Sequence, residues 1–183
     1  MSKYYTGSGD DGFTQLLGEG RVAKYHPKPE ALGALDEASA ALGVARASCG
    51  DPRSAALLLE TQRDLYRLMA EVAAAPENAV HFRTIDANRV AWLESQINRL
   101  GETVEMPREF ILPGDSSAGA ALSLARAIVR RAERRVARLL HDHEIENPAL
   151  LHYLNRLSSL CFLLELLENR AAGVSSPTVA KDQ

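Results

Sequence analysis

One segment of the sequence places two arginines and a glutamate where a helix would align them on one face. Arg126, Arg130 and Glu133 are separated by four and then three residues, the spacing of side chains that neighbour each other along an α-helix. Two stacked guanidinium groups suit bidentate recognition of phosphate or carboxylate, because their planar geometry is fixed and their charge is permanent. The alternative is an ordinary solvated face in which Glu133 pairs with Arg130 or its neighbours.

A glycine-rich loop near the N-terminus could supply a second anion-binding element. Glycines let backbone N–H groups approach phosphate oxygens closely, and nearby hydroxyl and carboxylate groups could hold phosphate and Mg²⁺. The residues concerned are Gly7, Ser8, Gly9, Asp10, Gly12 and Thr14, followed by Arg21 and Lys24. The loop lacks the spacing of a Walker A motif, so a flexible linker is the alternative for this segment taken alone.

Apolar spacing predicts five helices that would position these groups. Each has leucine, valine or alanine on one stripe, and the boundaries carry capping residues, prolines or glycines. The predicted helices run from about Glu30 to Ser48, from Asp51 to before Pro76, from an N-cap at Thr84 or Asp86 to before Gly101, from Ser116 to about His141, and from Asn147 to Gly173. Short connections favour antiparallel neighbours, and no strand pattern stands out. The sequence therefore predicts an all-α fold, an antiparallel five-helix bundle.

Three segments lie outside this helical pattern, although the chain is predicted to form one domain with its bundle at residues 30–173. Residues 1–29 carry several glycines and are predicted to form an ordered loop or a disordered arm. Residues 174–183 are predicted to be a flexible tail with nothing to bury. Prolines force residues 110–114 (FILPG) into an extended or turn geometry, and Phe110 there is either packed filler or part of a site.

Composition and charge exclude several classes of protein. The chain has 183 residues, and its 21 Lys and Arg against 24 Asp and Glu give a net charge of −3, which disfavours a general nucleic-acid coat. Cys49 and Cys161 are too few for a disulfide framework and are predicted to be buried thiols in a reducing compartment. The sequence has neither a signal-peptide pattern nor about 18 uninterrupted apolar residues, so we predict a cytoplasmic protein without membrane contact.

Several motifs, in order along the chain, resemble the PduO-type ATP:cob(I)alamin (corrinoid) adenosyltransferases. They are YTGSGDDGFT at residues 5–14, RVAK at 21–24, EALGALDE at 30–37, FILPG at 110–114, ARAIVRRAER at 125–134 and YLNRLS at 153–158. The resemblance implies a ferritin-like, cobalamin adenosyltransferase-like bundle that assembles as a homotrimer. It further implies an enzyme that transfers the 5′-deoxyadenosyl group of ATP to cob(I)alamin and releases triphosphate. A reductase that acts on cob(II)alamin and a cobalamin-dependent acceptor enzyme are the implied partners.

The resemblance also implies roles for individual residues. Arg126 and Arg130 would be catalytic and would hold phosphates at a site shared with a neighbouring subunit. Phe110 would be catalytic and cobalamin-binding, because it would lie under the corrin ring and displace the lower axial ligand. Asp36 would pair with Arg126 across the subunit interface. The implied ATP-binding set, with Mg²⁺ beside the phosphates, is Thr6, Gly7, Ser8, Gly9, Asp10, Gly12, Thr14, Lys24, Arg126, Arg130, Glu133 and Asn155.

Three positions depart from the family pattern. Ser159 stands where the family commonly has an aspartate, Asp115 replaces a second glycine after Pro-Gly, and Asn98 replaces an aspartate. The hydroxyl of Ser159 cannot supply the charge of a carboxylate. An ATP- or corrinoid-binding paralogue with weak or no transferase activity is therefore the alternative function, and a helical protein-interaction module is the third.

Overall fold

The computed structural model describes residues 4–18 and 20–181, so predictions that concern residues 1–3, 19, 182 and 183 lie outside the described residues. Within that part of the chain, a small antiparallel sheet precedes a set of helices. The elements are β1 (Phe13–Gln15), β2 (Arg21–Ala23), α1 (Pro27–Ser48), α2 (Pro52–Ala73), α3 (Ala79–Phe82), α4 (Ala87–Gly101), α5 (Ser117–His141) and α6 (Pro148–Ala171).

The five long helices form one bundle with a shared apolar core. Helix α1 packs against α2 and α5, and α6 packs against α4 and α5. The apolar stripe predicted for α5 is buried along its whole length: Leu122, Ala125, Val129, Ala132, Val136 and Leu139. Burial of each large aliphatic side chain stabilises the fold by about 1.5–3 kcal/mol relative to exposure. The prediction of an all-α bundle is confirmed.

Helix α6 is the most deeply buried element. By length and composition it could cross a membrane, but 61% of its most apolar stretch is covered by the rest of the protein. Its predicted stripe is fully buried at Leu150, Leu154, Leu157, Cys161 and Leu164. The apolar character of α6 is thus accounted for by its place in the core.

Side-chain caps fix the starts of the helices that carry the predicted site. Ser116 accepts a hydrogen bond from the Gly119 N–H at 2.9 Å, and Asn147 accepts one from the Ala149 N–H at 3.1 Å. These bonds satisfy donors that the first helical turn leaves without partners. The predicted starts of α5 and α6 are therefore confirmed.

Helix α1 begins at Pro27, three residues before the predicted start at Glu30. The His26 side chain accepts a hydrogen bond from the Lys28 N–H at 3.3 Å and so caps the helix. Pro27 and Pro29 both fit in the first turn, because the N–H that proline lacks has no partner there in any case. The predicted start at Glu30 left both prolines outside the helix.

The strands β1 and β2 are a correction to the sequence-based prediction, which contained no strand. They pair antiparallel, with Phe13 opposite Ala23 and Gln15 opposite Arg21. Strands of three residues are too short to show an alternating apolar pattern. The hairpin closes the glycine-rich loop, because the Lys24 N–H donates to the Gly12 carbonyl at 2.9 Å.

Residues 177–181, here called the C-terminal strap, lie along the segment that contains Phe110. The Leu112 N–H donates to the Thr178 carbonyl at 2.8 Å, and the Ala180 N–H donates to the Phe110 carbonyl at 2.7 Å. The prediction of a flexible tail does not account for this pairing. It relied on the lack of apolar periodicity after residue 174, whereas the strap is held by backbone hydrogen bonds, which leave no such pattern.

A buried ionic cluster ties α2, α4 and α6 together. Asp64 is fully buried and accepts hydrogen bonds from Arg67 at 2.8 Å, Arg89 at 2.7 Å and the Tyr153 hydroxyl at 2.6 Å. Burial, followed by the charge of Asp64, raises the pKa of Tyr153 well above its usual value, so the phenol stays neutral and donates. The cluster positions α6 against its neighbours, and its Tyr153 lies two residues before Asn155 on that helix.

Candidate active site

The six arginines of α5 differ in their partners, and Arg134 donates to the Arg130 carbonyl at 2.9 Å. Three of them pair with carboxylates of α1 or of the turn after α5: Arg131 with Glu37, Arg135 with Glu30, and Arg138 with Asp142. Arg126 and Arg130 form no ion pair within the part of the chain that the structure describes. These two guanidinium groups are therefore available to an anionic ligand.

Glu133 pairs with α6 rather than with an arginine of its own helix. The Asn155 amide donates to the Glu133 carboxylate at 2.9 Å, and Arg156 donates to the Asn155 amide oxygen at 3.0 Å. The pairing of Glu133 with Arg130 or its neighbours, which the solvated-face alternative assumed, is not formed among the described residues. Glu133 and Asn155, which both belong to the ATP-binding set that the resemblance implies, are in direct contact.

Phe110 projects into solvent at the wall of a cavity. Its side chain is 89% exposed, so the alternative that it is packed filler in the core is wrong. The cavity measures about 510 Å³ and is lined in part by Phe110, Ser123, Arg126, Phe162 and Glu165. Two aromatic rings and a guanidinium group thus surround one space.

Phe162 and Glu165 extend this cavity in a way that was not predicted from the sequence. The Arg126 guanidinium carbon lies 5.6 Å from the centroid of the Phe162 ring, a cation–π distance. Glu165 is only 2% exposed, and burial raises the pKa of its carboxyl, an effect that Ser123 and Arg126 partly oppose. The sequence does contain one sign of a buried Glu165, since it is a charged residue inside an apolar run of the last predicted helix.

The glycine-rich loop makes two tight turns. Gly7 and Gly12 have φ values of 72° and 83°, which residues with a Cβ rarely adopt. The Thr6 and Ser8 hydroxyls are 2.8 Å apart. A Cβ at Gly9 would come within 3.0 Å of the Lys24 Nζ, so glycine leaves room for that ammonium group over the loop.

Arg21 holds the loop in this form, a role that sequence reasoning did not assign to it. Its guanidinium donates to both carboxylate oxygens of Asp11, at 2.8 and 2.9 Å, and to the Ser8 carbonyl at 2.6 Å. These hydrogen bonds lower the pKa of Asp11. Asp11 is thus engaged by Arg21 and holds the loop rather than facing a ligand.

The loop and the free arginines occupy different parts of one chain. His26, at the start of α1, lies 3.8 Å from Glu144, just beyond the end of α5. Arg130 is 11 residues before His141, which corresponds to about 17 Å along the helix. No hydrogen bond or ion pair joins residues 6–14 to Arg126 or Arg130 in the described parts of the chain.

The fold and the site define a class of helical-bundle proteins with a glycine-rich N-terminal loop and a cavity lined by aromatic rings and arginine. A family model described as Cobalamin adenosyltransferase matches residues 4–168. The chain belongs to that family.

Curated relatives and solved structures agree with this assignment. The chain is 38% identical over 169 residues to the corrinoid adenosyltransferase PduO of Citrobacter freundii, covering 92% of this chain and 50% of that protein. It is 37% identical over 178 residues to the corrinoid adenosyltransferase of Bacillus subtilis, covering 94% and 89%. The chain thus spans about half the length of some curated relatives that it matches.

Similar solved structures include a PduO-type ATP:corrinoid adenosyltransferase from Lactobacillus reuteri, in a phenylalanine-to-alanine variant complexed with cobalamin and ATP. The TM-score is 0.89 at 28% identity, covering 98% of this chain and all of that one. An arginine-to-lysine variant of that enzyme complexed with ATP gives 0.88 at 27% identity, covering 97% and 99%.

Proposed function

We propose that the chain transfers the 5′-deoxyadenosyl group of ATP to cob(I)alamin, forming adenosylcobalamin and triphosphate. The observation that carries this proposal is the exposed Phe110 ring beside the unpaired Arg126 at one cavity. Relatives named corrinoid adenosyltransferases, and neighbours whose structures hold cobalamin and ATP, support both substrates.

The triphosphate of ATP would bind between the glycine-rich loop and the free arginines. The loop offers backbone N–H groups, the Lys24 ammonium and hydroxyls, all of which suit phosphate oxygens. Arg126 and Arg130 would contact the phosphates from the opposite side and stabilise charge on the leaving group. Glu133 and Asn155 would lie on the nucleoside side.

Mg²⁺ is the cation that such an ATP site implies. Among the described residues, no group of three or more His, Cys, Asp or Glu side chains is placed to hold a metal ion. This fits Mg²⁺, which binds one or two protein oxygens and otherwise keeps water and substrate phosphates. Asp10 would supply a carboxylate oxygen, one of the hydroxyls of Thr6, Ser8 and Thr14 nearby in sequence could supply a second, and Mg²⁺ would neutralise phosphate charge.

Phe110 would act on the corrinoid before the transfer step. Its ring has no atom that can ligate cobalt, so a ring under the corrin would exclude the lower axial ligand. A four-coordinate Co(II) is easier to reduce, because the orbital that points to the missing ligand falls in energy. The exposed position of the ring permits this contact without disturbing the core.

The transfer itself is a displacement at carbon. The Co(I) electron pair would form the Co–C bond to C5′ of ATP, while the C5′–O bond breaks and its electrons leave with triphosphate. The protein would contribute by aligning the two substrates, excluding water and stabilising the departing charge. No general base is required, since no proton moves in this step.

A complete site requires a second subunit under this proposal, because one chain separates the loop from Arg126 and Arg130. A homotrimer would join them, with Asp36 of one subunit paired with Arg126 of the next. Asp36 is exposed, as such a pairing requires.

We therefore expect light scattering to give three times the mass of the chain at micromolar concentration. Asp36→Ala should shift the population toward smaller species, because it would leave Arg126 unpaired at the interface. A wild-type monomer at these concentrations would contradict the shared site.

The second candidate function is a paralogue that binds ATP or corrinoid with weak or no transfer. Ser159 favours it, because the residue is exposed on α6 and its hydroxyl carries no charge. An active enzyme would work in the cytoplasm with a reductase that supplies the electron and an acceptor that uses adenosylcobalamin.

The two candidates are separated by measuring ATP binding and the corrin spectrum under the same anaerobic conditions. ATP and Mg²⁺ are titrated by calorimetry, and chemically reduced cobalamin is then added while the visible spectrum is followed. Conversion to a light-sensitive alkylcobalamin supports the enzyme. ATP binding without conversion supports the paralogue, and binding of neither substrate supports an interaction module.

A further inference from the structure

The C-terminal strap is joined to the start of α5 by a single carboxylate. Asp115 accepts a hydrogen bond from the Thr178 N–H at 2.9 Å and another from the Thr178 hydroxyl at 2.7 Å. The residue stands directly before the Ser116 cap of α5, so its backbone is anchored to the bundle. One acidic side chain therefore binds two donors of one strap residue.

The strap forms part of the cavity that contains Phe110. Ala180 and Lys181 line that cavity, and the Ala180 N–H donates to the Phe110 carbonyl at 2.7 Å. Ile111 lies opposite Val179 in the same bridge. The position of the Phe110 backbone therefore depends on the position of the strap.

We propose that Asp115 is a positioning residue that fastens the C-terminal strap to the Phe110 segment and so keeps the corrinoid side of the site formed before corrinoid binds. This inference rests on the proposed function. It assigns a use to a carboxylate at a position where the family pattern has glycine, a departure that otherwise suggests a defect near the corrin.

The hydrogen-bonding arrangement explains why the carboxylate matters. An extended segment opens easily when few hydrogen bonds hold its backbone, and the strap has only short pairing with residues 110–112. A carboxylate that accepts two hydrogen bonds is a stronger acceptor than a neutral group, and it holds both the backbone and the side chain of Thr178. Preformed sites bind more tightly because less order is lost on binding.

Two variants remove the fastening in different ways. Asp115→Ala removes both acceptors, and Thr178→Val removes the hydroxyl while it keeps the shape of the side chain. In both variants, amide hydrogen exchange at Leu112 and Ala180 should accelerate. In Asp115→Ala, the KM for cobalamin should also rise by about fivefold or more, while the KM for ATP stays unchanged. Thr178→Ser, which keeps the hydroxyl, should restore protection.

Asp142→Ala is the matched control, because it removes an exposed aspartate at the other end of α5. It should leave both exchange and the KM for cobalamin unchanged. Unaltered exchange at Leu112 and Ala180 in Asp115→Ala would overturn the proposal, as would faster exchange with an unchanged KM for cobalamin. Amide hydrogen exchange needs no substrate, so it tests the contact between Asp115 and the strap independently of activity. A wild type without transferase activity would count against the proposed function, and the exchange rates at Leu112 and Ala180 would still test the role of Asp115.

Discussion

Arg130→Ala should lower kcat/KM for ATP by about 10²–10³-fold, because it removes a cation that would stabilise charge on the departing triphosphate. The side chain is exposed and forms no ion pair in the described parts of the chain. An exposed charge of this kind contributes about 0–1 kcal/mol to the free energy of unfolding, so the melting temperature should change little. Steady-state kinetics and thermal unfolding on the same preparation measure both effects.

Arg138→Ala is the matched control for this result, because Arg138 lies on the same helix and is paired with Asp142. We expect it to retain normal kinetics. Arg130→Lys should recover part of the loss, since lysine restores the charge but not the bidentate geometry. A large fall in melting temperature for Arg130→Ala, with normal activity per folded molecule, would show that Arg130 is structural.

Phe110→Ala should slow formation of adenosylcobalamin by at least about tenfold, or roughly 1.4 kcal/mol of activation free energy, when Co(II) is reduced on the protein. Without the ring, a lower ligand would return to cobalt and make reduction harder. ATP affinity and melting temperature should remain close to wild type, because the ring is 89% exposed and contributes little to the core.

The four-coordinate Co(II) signal gives the sharpest readout for this variant. It should be lost or strongly reduced in Phe110→Ala, whereas Met106→Ala should keep it. Met106 is a suitable control, since it is 54% exposed, lies four residues before Phe110 in the same loop between α4 and α5, and does not line the cavity with Phe110. A folded, ATP-binding Phe110→Ala protein with the full four-coordinate signal would refute the assigned role.

The helices could be predicted because their physical signals are local. Apolar residues at helical spacing defined the buried stripes of α5 and α6, and Ser116 and Asn147 marked their starts through capping chemistry. Arg126 and Arg130 could be selected from the sequence because their spacing follows from the same helix. The absence of ion pairs at these two arginines among the described residues could not be predicted. It depends on where α1 places Glu30 and Glu37, which pair with other arginines of α5.

The remaining features depend on pairing between distant parts of the chain. Arg21 fixes Asp11 across a hairpin, and Asp115 binds Thr178 across more than 60 residues of sequence. Neither contact follows from residue spacing, because hydrogen bonds between loops leave no periodic pattern. Glu165 was missed for a related reason: its burial is set by α5 and by the Phe110 segment, and its own helix gives only an isolated charge.

The most direct test of the proposed transfer is to quantify both products of a single turnover. Protein, ATP, Mg²⁺ and chemically reduced cobalamin are mixed anaerobically, and adenosylcobalamin and inorganic triphosphate are measured in the same quenched sample. Displacement at C5′ predicts equal amounts of the two products, with no ADP formed. ATP consumption that yields ADP and phosphate, or bound ATP with an unchanged corrin spectrum, would contradict the account.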